Sequence, residues 1–143
     1  MYPQLKQGIV ASARTPETWV NCMCGDDMGK LVAEVFCNFE KFEHKEIPLA
    51  GDRVNMDEVG AAISKATGKH IEVQYLTREQ LLANGVRSSV IDAQEWDVVN
   101  GYTADVVASN SYGVKLSTFE EWALRHKDDF DIDYLVSFCE YLQ

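Results

Sequence analysis

The chain has 143 residues, of which 13 are basic and 23 acidic, giving a formal charge of −10. That length suits a single domain over residues 1–143, and 46% apolar residues suffice for a core. The negative field argues against nucleic-acid or membrane-surface partners, no apolar run approaches the roughly 18 residues of a membrane span, and MYPQLKQGIV lacks a signal-peptide pattern, so a cytoplasmic protein is expected.

In chain order, IVASA (9–13) reads as a short strand and ARTPET as a loop. Trp19 to Cys24 alternates loosely, as a strand running straight into the helix GDDMGKLVAEVF. Asp26 and Asp27 suit a capped helix start, and Met28, Leu31, Val32, Val35 and Phe36 form one apolar stripe. This helix is expected to organise the chain, packed against the strands on either side of it. It gives out near Asn38, FEKFEHKE follows as a polar connector with Phe39 and Phe42, and Glu46 to Ala50 reads as a strand limited by Pro48.

Asn55 and Glu58 have capping-box spacing before a stripe of Met56, Val59, Ile63 and Ala66, and Gly68 stops that helix. HIEVQY (70–75) alternates as a half-buried strand. Thr77 and Gln80 open a short helix ending at Gly85. Ser88 to about Tyr102 reads as a helix without one clean apolar face, and residues 103–115 as a turn-rich segment. Ser117 and Glu120 form a third capping box before a face of Phe119, Trp122, Ala123 and His126. From Asp131 to Leu142 a helix is expected with two apolar stripes, one of them Tyr134, Phe138 and Tyr141, so that 128–143 is a candidate interface element.

Taken in order, these pieces resemble the C-terminal part of NmrA-like proteins, atypical members of the extended short-chain dehydrogenase group. The resemblance runs through DDMGKLVAEVF, then KEIPLAGDRVNMDEVGAAISKATGKHIEVQYLTREQ, and ends at STFEEWALRH. It implies an α/β fold with a few short strands and five or six helices, equivalent to the family's substrate or partner lobe. The family's other half is a Rossmann unit with a glycine-rich turn for a dinucleotide. This sequence contains no GxxGxxG or GxGxxG, so it reads as a truncated, cofactor-independent relative, with no cofactor expected.

The group's catalytic pair has YxxxK spacing, which Tyr2 and Lys6 match only by coincidence beside Pro3, and which Tyr112 and Lys115 do not match. Cys22, Cys24, Cys37 and Cys139 lack the spacing of a metal site and read as small buried residues, so no metal is expected. His44, His70 and His126 are expected at the surface. Asp105, lying between aromatic residues in the irregular segment, is the candidate catalytic acid. Trp96, Tyr102, Tyr112 and Trp122, with Phe119, are either core or the wall of a substrate or partner cleft.

Three functions compete: a cofactor-less binding or regulatory module, a cofactor-independent isomerase or cyclase using the apolar cleft, and part of an NAD(P)-dependent reductase. The first is favoured. Its expected partner is a second copy of the chain, another protein, or a small apolar ligand.

Overall fold

The structure, a computed structural model, describes residues 3–102 and 104–132. Its elements run β1 (Ile9–Ser12), β2 (Val20–Cys22), α1 (Gly25–Cys37), α2 (Phe39–Phe42), β3 (Asp52–Val54), α3 (Met56–Thr67), β4 (Glu72–Tyr75), α4 (Arg78–Ala83), α5 (Ser88–Val99), α6 (Val106–Asn110) and α7 (Phe119–Arg125). This is an α/β fold with few, short strands. β1 pairs in parallel with β4, Val10 opposite Val73, and β2 pairs antiparallel with β3, Val20 opposite Val54.

Neighbouring residues of a strand face opposite ways, and β1 uses both faces. Val10 joins a core of Val54, Met56, Val59, Ile63, Ile71 and Ile132, whereas Ala11 joins Leu81, Val86 and Ile91. The β1–β4 pair is therefore sandwiched between α3 on one side and α4 with α5 on the other. α3 packs closest where it lacks a side chain: a Cβ on Gly60 would lie 2.5 Å from Val73 Cγ2. Its own start is set by the Asn55–Glu58 capping box, and its end by Gly68 at φ 70°.

The centre of the fold is thus α3 and not α1. Of the α1 stripe only Leu31 is buried, while Met28 and Val32 are more than 40% exposed and Phe36 is 78% exposed. The periodicity of α1 is real, but apart from Leu31 its apolar face stays partly open to solvent. Asp27 does not cap its helix. The N-cap is Cys24, without a side-chain bond. The Asp27 carboxylate is instead buried, accepting from Ser117 N–H at 2.7 Å and from Lys30 Nζ at 2.8 Å.

Other departures have local causes. Glu46–Ala50 is not a strand: Pro48 has no donor, Ala50 N–H goes to Ser109 Oγ, and pairing with β2 begins only at Asp52. α2 and α6 fall in stretches read as connectors, because helices of four and five residues are too short to display a period. α5 stops at Val99, before Tyr102. The capping box of α7 is Thr118 with Glu121, one residue later than expected, because Ser117 gives its N–H to Asp27 while its hydroxyl takes Arg125. Ala66 is only half-buried. The expected helix over 131–142 lies almost wholly outside the described residues. Ile132, at its start, is buried in the α3 core, and its carbonyl accepts from Lys69.

Candidate functional site

An apolar cavity of about 440 Å³ lies where β2, β3, α3 and α7 meet, beside the end of β1. Val20, Val54, Met56, Val59 and Ile63 form its walls, with Leu5, Cys22, Tyr102, Phe119, Trp122 and Phe130 closing around them. The α3 stripe supplies its floor because the residues facing β1 and β4 are apolar at helical spacing. α7 brings the aromatics: the Trp122 ring lies 5.5 Å from Phe119, stacks on His126 at 5.0 Å and meets Phe130 edge-on at 5.9 Å.

The cavity has one charged corner. Arg14 follows the carboxyl end of β1, the end of a parallel strand where ligand sites gather in open α/β sheets. Its Nε and Nη2 both donate to Asp97 Oδ2, at 3.0 and 2.5 Å, and Nη1 reaches Met56 Sδ at 3.9 Å. These two side chains are only 14% and 19% exposed. Gln94, one helical turn before Asp97 and itself buried, accepts from Ala13 N–H at 2.8 Å, and Arg14 N–H donates to Ser12 Oγ. The helix α5 therefore grips the turn after β1 twice. That is why α5 lacked a clean apolar face in sequence: its inward side carries Ile91, Gln94 and Asp97 together.

A second, more polar cavity of about 440 Å³ adjoins the first, sharing Asn21, Asp97 and Tyr102 with it. Its other lining residues include Thr15, Glu17, Thr18, Trp19, Arg53 and Asn100. Arg53 lies over the Trp19 ring at 5.7 Å. On the far side, a cavity of about 300 Å³ is bordered by Cys22, Cys24, Ser117 and Trp122. Burial, then the Asp52 charge, pushes the Cys22 thiol up to about 11, so it is protonated at neutral pH and a weak nucleophile. Arg125 Nη2 stands 3.9 Å from Cys24 Sγ. Of the three described cysteines, Cys22 and Cys24 are half-buried and Cys37 is exposed, which corrects the expectation that all are buried.

Of the residues singled out from sequence, Tyr102 and Trp122 come together in the apolar cavity. Trp96 does not: it lies 52% exposed on α5. Tyr112 packs on Phe42, centroids 6.0 Å apart, in a different part of the molecule. Trp96 and Tyr102 are half exposed, so neither is a core residue. Asp105 is the N-cap of α6, accepting from Val107 and Ala108 N–H. His44 and His70 are exposed, and His126 pairs with Asp129 at 2.9 Å. Tyr134, Phe138 and Tyr141 lie outside the described residues, as do Tyr2 and Cys139. Arg14, Gln94 and Asp97 were missed, although the 91–94–97 spacing put two polar side chains on the face of Ile91.

Among the described residues no group of three His, Cys, Asp or Glu side chains could hold a metal. No helix there is long and apolar enough to cross a membrane. A dinucleotide needs backbone N–H groups free at a helix start, approached through glycine. The turn after β1, Ala13-Arg14-Thr15-Pro16, has no glycine and opens no helix. The helices that do follow strands carry acidic residues in their first turns, Asp26 and Asp27 after Gly25 in α1, Asp57 and Glu58 in α3, and Glu79 in α4, all opposing a phosphate. The described residues do not fit the pyrophosphate.

The model of the NmrA-like family matches residues 6–123, and the chain belongs to that family. The matched span contains the Arg14–Asp97 pair and every lining residue of the apolar cavity except Leu5 and Phe130. No curated protein matches the chain.

Proposed function

We propose that this NmrA-like chain is a binding module of the regulatory kind that works without a dinucleotide, and that it holds a small, largely apolar molecule in the cavity between α3 and α7. The observation that carries this reading is the wall itself: it is apolar, and its two charged side chains, Arg14 and Asp97, are spent on each other. A proton-transfer reaction needs a titratable group within reach of the substrate and free to change its charge. With Arg14 and Asp97 held by each other, the charged groups of the wall are not turned to a bound molecule, which speaks for binding over an isomerase or cyclase. The acidic helix starts and the missing glycine-rich turn speak against a reductase that uses these residues to hold NAD(P).

Calorimetric titration with NADPH and NADH, beside a fluorescence titration with naphthalene as an apolar probe, tests the reading. Saturable binding of naphthalene with no response to either dinucleotide is expected. One-to-one dinucleotide binding in the low micromolar range would overturn the cofactor-free reading, and failure to bind naphthalene would overturn the choice of cavity.

A further inference from the structure

The two adjoining cavities differ in chemistry and meet at the same three residues, Asn21, Asp97 and Tyr102. We infer that they form one two-compartment site for an amphipathic ligand, whose apolar body fills the inner cavity and whose uncharged, hydrogen-bonding head lies in the outer one. This rests on the binding reading above and adds the class of ligand.

A neutral head is favoured because the charges at hand balance in sign: Arg14 and Asp97 are in contact, and Glu17 and Arg53 leave the outer compartment without a net sign. Arg14 gives two donors to one oxygen of Asp97, so a ligand carboxylate drawn to Arg14 would be repelled by the Asp97 carboxylate beside it, and a ligand ammonium drawn to Asp97 would be repelled by Arg14. Breaking such a pair strands a poorly solvated charge, and the cost exceeds what the newcomer returns. In the outer compartment Glu17 and Arg53 are one of each sign, and Arg53 also lies over Trp19. Of the remaining polar groups there, Thr15 and Thr18 bond each other, and the Asn21 and Asn100 side-chain nitrogens go to the Ala104 and Trp96 carbonyls, which leaves the two amide oxygens to accept from a neutral head.

Tyr102 marks the junction. It lines both cavities, is half exposed, and its hydroxyl has no hydrogen-bond partner among the described residues. A ligand hydroxyl or carbonyl emerging from the apolar compartment would meet it first.

The test uses a matched set on the full chain: naphthalene, naphthol, naphthoate and naphthylmethylamine. A purely apolar cavity prefers naphthalene, since the hydroxyl of naphthol is better left in water. A joined site reverses that order, with naphthol bound about tenfold more tightly than naphthalene through the added hydrogen bond. Naphthoate and the amine should bind more weakly than naphthol. Tyr102→Phe should remove the advantage of naphthol over naphthalene within the variant itself, a change in ratio that a general loss of structure does not give. Naphthalene binding as tightly as naphthol would overturn the two-compartment inference while leaving the apolar site standing. Tightest binding by naphthoate or by the amine would overturn the neutral head. An unchanged naphthol preference in Tyr102→Phe would overturn the placing of the junction. If none of the four binds, the binding reading itself falls, and this inference with it.

Discussion

Asp97 takes two hydrogen bonds from Arg14 on one carboxylate oxygen, at 3.0 and 2.5 Å, and so ties the last turn of α5 to the residue that follows β1 by two positions. The pair is mostly out of water. Its worth as a pair is modest, because desolvation offsets attraction, but each partner depends on the other.

Removing one partner should therefore cost more than removing both. Asp97→Ala is expected to lower stability by about 3 kcal/mol, and the double variant Arg14→Met with Asp97→Leu by clearly less. Urea denaturation of the parent, both single variants and the double variant measures the cycle. Additive losses would show that the two side chains do not interact.

Asp27 gives a pH signature. Burial alone would raise its pKa, but the bonds from Lys30 and Ser117 outweigh that and hold the carboxyl down to about 2, from an ordinary 3.8. A depressed folded-state value means stability that is complete above the unfolded value and lost as pH falls towards the folded one. The loss should amount to about 2 kcal/mol, spread below the ordinary carboxylate range. Asp27→Asn should be less stable at neutral pH and should show a shallower decline over that acid window. Parallel acid-dependent slopes for parent and variant would remove Asp27 from the account.

On α1 the two kinds of apolar residue should behave differently. Leu31→Ala removes a side chain only 2% exposed and should cost about 2–5 kcal/mol. Phe36→Ser, at a position 78% exposed, should stay within about 0.5 kcal/mol of the parent. Thermal melts of the two variants check the contrast, and equal losses would mean that Phe36 is covered in solution.

Gly60→Ala should destabilise α3 even though alanine is the better helix former by about 1 kcal/mol. The added methyl would stand 2.5 Å from Val73 Cγ2, so α3 or β4 must shift, at about 1–3 kcal/mol. Adding Val73→Ala should recover part of the loss, and denaturant midpoints of the single and double variants measure it.

Signals that act locally were legible in the sequence. The Asn55–Glu58 and Thr77–Gln80 boxes and Gly68 set helix ends through bonds between near neighbours, and they stand where their spacing put them. The stripe of Met56, Val59 and Ile63 also reached the core. Periodicity shows that α1 has an apolar face, but not whether another element meets it, and Phe36 lies open. The same limit governed the site. Tyr102 and Trp122 were legible as aromatics but not as neighbours, since 20 positions and the helix α6 separate them. Arg14 and Asp97 lie 83 positions apart, and a single charged residue in a loop carries no mark of its distant partner. The choice between Ser117 and Thr118 was lost for a similar reason, because Asp27, 90 positions away, claims the first of them.

The placement of Arg14 has a consequence for how the molecule comes apart. Val10 and Ala11 send their side chains into separate apolar clusters, so the layer of α4 and α5 could open while α3 and the other cluster stayed closed. Arg14 passes around the end of the strand between them, touching Met56 of α3 with one nitrogen and Asp97 of α5 with two others. Lifting α5 away would strand that charge against α3. The two layers are thus made to melt as one cooperative unit, and amide hydrogens in the middle of α5 should exchange with the same free energy as those in the middle of α3.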